Sequence, residues 1–274
     1  MRKGASADAR ARPPVLVLTG VGLSAAVAFR CVAEIEEHFD VIAPSDGGPL
    51  SYGGPASDGG PPTPAGAVAL LDAAGAEQAH VVGLSFGGAI AQEIAIQHPQ
   101  RVRSLVLASS TAGGKRYVPP DRPIRDFLGR LAELPAEEGL WASVPYFYAA
   151  TTCRRHAPLI GEDIAHRLAG RLDPRSYDRQ HAAARAHDAG ARLAAIAAPT
   201  LVLHGEEDRI LPLDNGRRLA DGIAGARFVS VAGGAHAFPT DVPGSTRELV
   251  SFLLGHSQSR AGSSARRTGR ATRA

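Results

Sequence analysis

His80-Val-Val-Gly-Leu-Ser-Phe-Gly-Gly-Ala-Ile-Ala-Gln-Glu-Ile-Ala-Ile-Gln97 is the stretch on which the fold turns. It begins as a short apolar run, His80 to Leu84, and passes through a Gly/Ser turn. From Ala89 to Gln97 it continues with the spacing of an amphipathic helix, closed by Pro99. A strand, a turn and a helix in this order give meaning to Gly83-Leu84-Ser85-Phe86-Gly87-Gly88, which fits G-x-S-x-G. So tight a turn requires residues two before and two after the serine to lack bulky side chains. It lifts the Ser85 hydroxyl out of the sheet and aims the N–H groups that follow at the same space.

Outward from this stretch, short apolar runs recur at Val15–Thr19, Val41–Ala43, Val102–Ala108, Thr200–Leu203 and Arg227–Val231. Helical patches lie between them at Val27–Phe39, Val68–Ala74 and Leu249–Leu254. Continuous apolar strands alternating with helices predict an α/β fold, a mostly parallel, doubly wound sheet covered on both faces. Residues 15–112 and 199–255 form this core. Residues 113–198 interrupt it with helical pattern and no clear strand, and hold seven of the fourteen aromatic residues. An insertion of that length between two late strands is expected to be a lid over a pocket. Trp141, Phe147 and Tyr148 are its candidate substrate contacts. Residues 44–64, dense in Gly and Pro, read as loop.

A serine nucleophile needs a base, and the base needs an orienting acid. His204-Gly-Glu-Glu-Asp208 follows the strand ending at Leu203, and Gly233-Gly-Ala-His236 follows the one ending at Val231. In a parallel sheet the carboxyl ends of strands share one rim, so Ser85, Asp208 and His236 are expected to meet there. Glu206 and Glu207 compete with Asp208 for the orienting role. His98, His187 and His204 read as packing histidines.

Taken together, these motifs resemble the α/β-hydrolases of the small, capped kind over residues 15–255. Gly83–Gly88 matches the nucleophile elbow, Gly205–Pro212 the acid loop, Gly233–His236 the histidine loop and Val15–Gly22 the first strand and its loop. The resemblance implies catalytic Ser85, Asp208 and His236, an oxyanion hole from the backbone N–H groups of Val21 and Phe86, and a cap formed by 113–198. It implies hydrolysis of an ester, lactone or thioester of a medium-sized hydrophobic molecule through an acyl-enzyme. Acyl transfer, elimination and C–C bond hydrolysis are alternatives that the same triad supports. Three departures stand out: the hairpin that opens the family's sheet is expected to be reduced or absent, Thr19 replaces the usual histidine, and no arginine follows the second strand.

Composition narrows the rivals. Hydrophobic residues make up 44% and charged residues 21%, enough for one sizeable core. The chain has no apolar run of membrane-spanning or signal-peptide length, which points to a soluble cytoplasmic protein. The net charge of +3 arises at the ends: residues 1–14 are basic, residues 256–274 hold five arginines and no acid, and the middle is net acidic. Both ends are expected to be disordered. The tail lacks aromatics to stack on bases, so neither nucleic acid nor a membrane is an expected partner, and oligomeric state is open. Gly20-Val-Gly22-Leu-Ser-Ala25 fits a dinucleotide fingerprint, but the acid that should follow the next strand has only Asp46 near its place. A non-catalytic binding protein on this fold is the other rival. No metal-ligand spacing occurs, and no cofactor is expected. Cys31 and Cys153 read as packing residues.

Overall fold

The computed structural model describes residues 12–21, 29–43, 63–169 and 174–257. Most of the expected N-terminal arm, residues 44–62 of the expected loop 44–64, the expected tail from 258 and the end of the dinucleotide-like stretch lie outside the described residues, and Pro64 begins a helix.

Six strands form one parallel sheet in the order β2-β1-β3-β4-β5-β6. They are β1 (Pro14–Leu18), β2 (Asp40–Ile42), β3 (Ala79–Leu84), β4 (Val102–Ala108), β5 (Thr200–Gly205) and β6 (Arg227–Val231). Burial on both faces explains their unbroken apolar runs. Leu16, Leu18, Val81, Leu105, Leu107 and Val202 point to one side, and Val15, Val17, Val82, Val106, Leu201 and Leu203 to the other. The first face is covered by α2 (Pro64–Ala73), α3 (Phe86–Gln97) and, near β5, α9 (Asp214–Gly222). On the second face lie α1 (Phe29–Glu36), α10 (Phe238–Asp241) and α11 (Arg247–Gly255), with Cys31 and Ile35 packed among the strand residues. No antiparallel strand joins the sheet among the described residues.

Chain order places a functional constraint on this sheet. From β1 the chain moves outward to β2 and then returns to lay β3 on the opposite side of β1. The connections leaving β1 and β3 therefore diverge, and a crevice opens at their carboxyl ends, the usual binding place in open α/β sheets.

Between β4 and β5 the chain runs through α4 (Arg122–Arg130), α5 (Ala136–Phe147), α6 (Ala150–Arg155), α7 (Ala157–Ala169) and α8 (Pro174–Ala186). A single antiparallel bridge, Gly113 to Asp188, closes the base of this excursion. The expectation that the insertion extends to 198 needs correction. Ala189, Leu193 and Ile196 are buried in the first-face core, so the chain has rejoined the sheet layer about ten residues earlier.

Candidate active site

Ser85 stands between β3 and α3 with φ 53° and ψ −119°, a strained conformation for a residue with a side chain. Its surroundings enforce the strain. The Ser85 N–H donates to Ala108 O at 2.9 Å, and Ser110 Oγ donates to Ser85 O at 2.8 Å, so the turn is pinned to the end of β4. A Cβ on Gly83 would lie 2.6 Å from Gly88 Cα, and one on Gly87 would lie 2.2 Å from Leu18 O. Glycine at both places lets α3 begin directly against β3 and the end of β1. The helix thus starts at Phe86, three residues earlier than its apolar spacing indicates, and presents its first N–H groups beside Ser85.

His236 Nε2 lies 3.1 Å from Ser85 Oγ, and His236 Nδ1 lies 2.8 Å from Asp208 Oδ2. Two loops create this meeting. The Glu206 N–H donates to Val231 O and the Glu207 N–H to Gly234 O, tying the loop after β5 to the loop after β6. Glu206 turns away to accept from Ser230 Oγ, leaving Asp208 as the acid in contact with His236. The Asp208 side chain is fully buried, and its Oδ1 accepts from the N–H groups of Ile210 at 2.9 Å and Leu211 at 2.8 Å. Burial by itself raises the carboxyl pKa, but the facing imidazoles of His236 and His204 prevail and hold it well below the usual carboxylate range.

His204, read from the sequence as a packing histidine, is in contact with this acid. Its Nε2 is 3.3 Å from Asp208 Oδ2 and 2.7 Å from Leu211 O. Ser109, a second non-glycine residue with positive φ, was also missed by the sequence reading; its hydroxyl donates to His236 O at 3.3 Å. His98 and His187 lie outside the cluster, and His187 is 3.7 Å from Glu93 instead.

A cavity of about 250 Å³ opens over Ser85 and His236 at the crevice between β1 and β3, predominantly apolar in its walls. Val21 lines it from the loop after β1. Phe147 and Tyr148 reach it from the end of α5, with the Phe147 ring edge-on to His236 at 5.3 Å between centroids. The Ala237 N–H donates to Phe147 O at 2.9 Å, so the insertion is tied to the histidine loop. Trp141 requires correction as a substrate contact: it is 49% exposed and is absent from the cavity wall. Six residues before Phe147 on the same helix, it stands about 120° around the axis from the cavity-facing side. Cys31 also lines the cavity, and burial pushes its thiol up to about 12, which suits packing and not nucleophilic attack.

Charge enters the cavity from α7. Asp163 accepts from Arg30 Nε at 3.0 Å, Tyr148 Oη at 3.1 Å and Thr240 Oγ1 at 2.6 Å, and so joins the insertion to the core. Arg167, one helical turn on, has its guanidinium 5.1 Å over the Phe147 ring, and its Nε is buried without a hydrogen-bond partner. Burial draws its pKa below the ordinary arginine value, with the Tyr148 hydroxyl opposing. Among the described residues, no three His, Cys, Asp or Glu side chains converge as metal ligands would, and no helix is long and apolar enough to cross a membrane.

A family model described as serine aminopeptidase, S33, matches residues 68–243. A RutD protein of Variovorax paradoxus, named as a carbamate hydrolase, is 33% identical over 190 residues, covering 68% of this chain and 70% of that protein. The 2-hydroxy-6-oxo-6-phenylhexa-2,4-dienoate hydrolase of Comamonas testosteroni is 34% identical over 161 residues, 58% of this chain and 56% of that enzyme. Among solved structures, a hydrolase from Pseudomonas aeruginosa superposes with a TM-score of 0.72 at 26% identity, covering 92% of both chains.

Proposed function

The chain belongs to the α/β-hydrolase family and is an enzyme of the hydrolase class, and on that premise we propose a serine-dependent mechanism with Ser85 as nucleophile. The carrying observation is the unbroken hydrogen-bond chain from Ser85 Oγ through His236 to Asp208, opening into the cavity. Asp208 accepts the hydrogen bond from His236 Nδ1–H and so holds the proton on that nitrogen, which leaves a lone pair on Nε2 facing the serine. Ser85 attacks the substrate carbonyl carbon as His236 removes its proton. The backbone N–H groups of Val21 and Phe86 receive the oxyanion, a contribution of about 3–4 kcal/mol per donor in comparable sites. The leaving group departs with the proton from His236, and water activated by the same imidazole releases the acid.

An ester, lactone or thioester suits this apparatus, as does the carbamate of the RutD proteins' name. Acyl transfer and C–C bond hydrolysis use the same serine and base and differ in what is cleaved or what resolves the intermediate. An activity-based test comes first. Treatment with a fluorophosphonate, followed by intact-protein mass measurement, should add one adduct to the wild type and none to Ser85→Ala. If neither protein is labelled while both are folded, Ser85 is not the nucleophile.

The cavity's charges bear on the substrate. Asp163 is occupied by Arg30, Tyr148 and Thr240, whereas Arg167 keeps an unpartnered Nε one aromatic ring away from His236. We read this as a place for a carboxylate on an otherwise hydrophobic acyl group, a class that includes the dienoate of the Comamonas enzyme's name. Arg167→Met should cut kcat/KM by about 10–100-fold for an activated ester whose acyl chain ends in a carboxylate. The matched ester ending in a methyl group should change by less than about threefold. Equal losses on the two esters would make Arg167 a packing residue and the substrate neutral.

A further inference from the structure

We infer that His204 is a positioning residue for the triad, sharing the Asp208 carboxylate with His236 and clamping the loop that carries it. This inference rests on the proposed serine mechanism and adds a residue to it.

The proton on His204 is located by its neighbours. Nε2 faces two acceptors, the Leu211 carbonyl at 2.7 Å and Asp208 Oδ2 at 3.3 Å, so Nε2 must be the protonated nitrogen. Nδ1 is buried and has no partner. It faces α9 where Gly216 sits, and a Cβ on that glycine would lie 2.6 Å from Nδ1. The ring is therefore wedged between the acid loop and a helix with no acceptor offered to Nδ1. A proton there would be buried unsatisfied, which favours the tautomer whose donor is aimed at the acid loop.

Two consequences follow for Asp208. Three N–H groups donate to it, the Ile210 and Leu211 amides on Oδ1 and His236 Nδ1 on Oδ2, and His204 Nε2, whose N–H is on Leu211 O, stands 3.3 Å from Oδ2. The carboxylate plane cannot rotate without breaking one of them. Leu211 is held from both ends, its N–H on Asp208 and its carbonyl on His204, so the loop is stitched back to the strand it leaves. The titratable groups facing Asp208 are His204 from β5 and His236 from the loop after β6. Arg209 is directed outward to Pro145 O and the Tyr146 ring, Glu206 to Ser230, and α9 offers only Gly216 at this point.

Without the His204 donor the loop loses its tie at the Leu211 carbonyl, and Asp208 is no longer held square to His236 Nδ1. In His204→Phe, which keeps a ring but no donor, kcat should fall about tenfold with KM within about twofold. His204→Gln, whose amide can donate, should recover most of the rate. A packing role predicts the reverse order, with Phe tolerated and Gln impaired.

Nitrogen-detected NMR of the histidine rings makes the test independent of turnover. Wild-type His204 should be the Nε2–H tautomer, its proton shared with the Leu211 carbonyl. A wild-type His204 that carries its proton on Nδ1 overturns the inference even if neither variant folds. Absence of fluorophosphonate labelling in wild type, with these ring signals as expected, would instead remove the serine mechanism and leave the shared carboxylate standing.

Discussion

Ser85→Ala is expected to melt within a few degrees of the wild type and to lose at least about 10⁴-fold in kcat. The first half follows from what holds the elbow. Its backbone is fixed by the bond from its own N–H to Ala108 O, by Ser110 Oγ on its carbonyl, and by glycines at 83 and 87 that admit the neighbouring backbone. None of these uses the Ser85 hydroxyl. Alanine at φ 53° carries the same steric penalty as serine, so the strained turn persists with its cost unchanged. The second half follows from what remains without the hydroxyl. Val21 and Phe86 can still polarise a bound carbonyl and His236 can still activate water, but no acyl-enzyme forms. Initial rates on an activated ester, beside a thermal melt, check both halves. Retention of a tenth of the wild-type rate would remove Ser85 from the mechanism.

Much of this site is legible in the sequence because its constraints are local. The elbow needs glycine within two residues of the serine on either side, and such a requirement is written in adjacent positions. Buried parallel strands read as unbroken apolar runs because both faces are covered, as Val15 to Leu18 and Leu105 to Ala108 are. Asp208 and His236 were accessible through topology, since each lies in a loop leaving the same rim of the sheet. What escaped depended on contacts that no spacing records. His204 ends a strand as a packing residue would, and it meets Asp208 only because the loop curls back through Leu211. Arg167 looks like any cation on a polar helix; its burial comes from α7 packing over the cavity. Trp141 was chosen for its chemistry, but the phase of α5 around its axis decides which aromatics face inward, and it favours Phe147. The segment 189–196 joined the insertion on pattern alone, although Ala189, Leu193 and Ile196 return it to the core.

Asp208→Asn should lower kcat by about 10⁴-fold while leaving the cavity and KM little altered. The argument lies in the donors around position 208. Oδ1 accepts two backbone N–H groups, so the asparagine carbonyl oxygen must occupy that place. The amide nitrogen then replaces Oδ2, opposite His236 Nδ1 at 2.8 Å and His204 Nε2 at 3.3 Å. A donor now faces donors. His236 resolves the conflict by moving its proton to Nε2, which turns Nδ1 into an acceptor for the asparagine amide. In that tautomer Nε2 presents N–H to Ser85 and cannot take its proton. The ring stays in place and the base is lost. Raising the pH does not restore it, because the fault is the position of a proton and not its presence, so the deficit should persist across the neutral and mildly alkaline range. Fluorophosphonate labelling of Asp208→Asn should slow in parallel with kcat, since both reactions need the same proton removed. Wild-type labelling combined with a 10⁴-fold loss in turnover would place the role of Asp208 in deacylation alone.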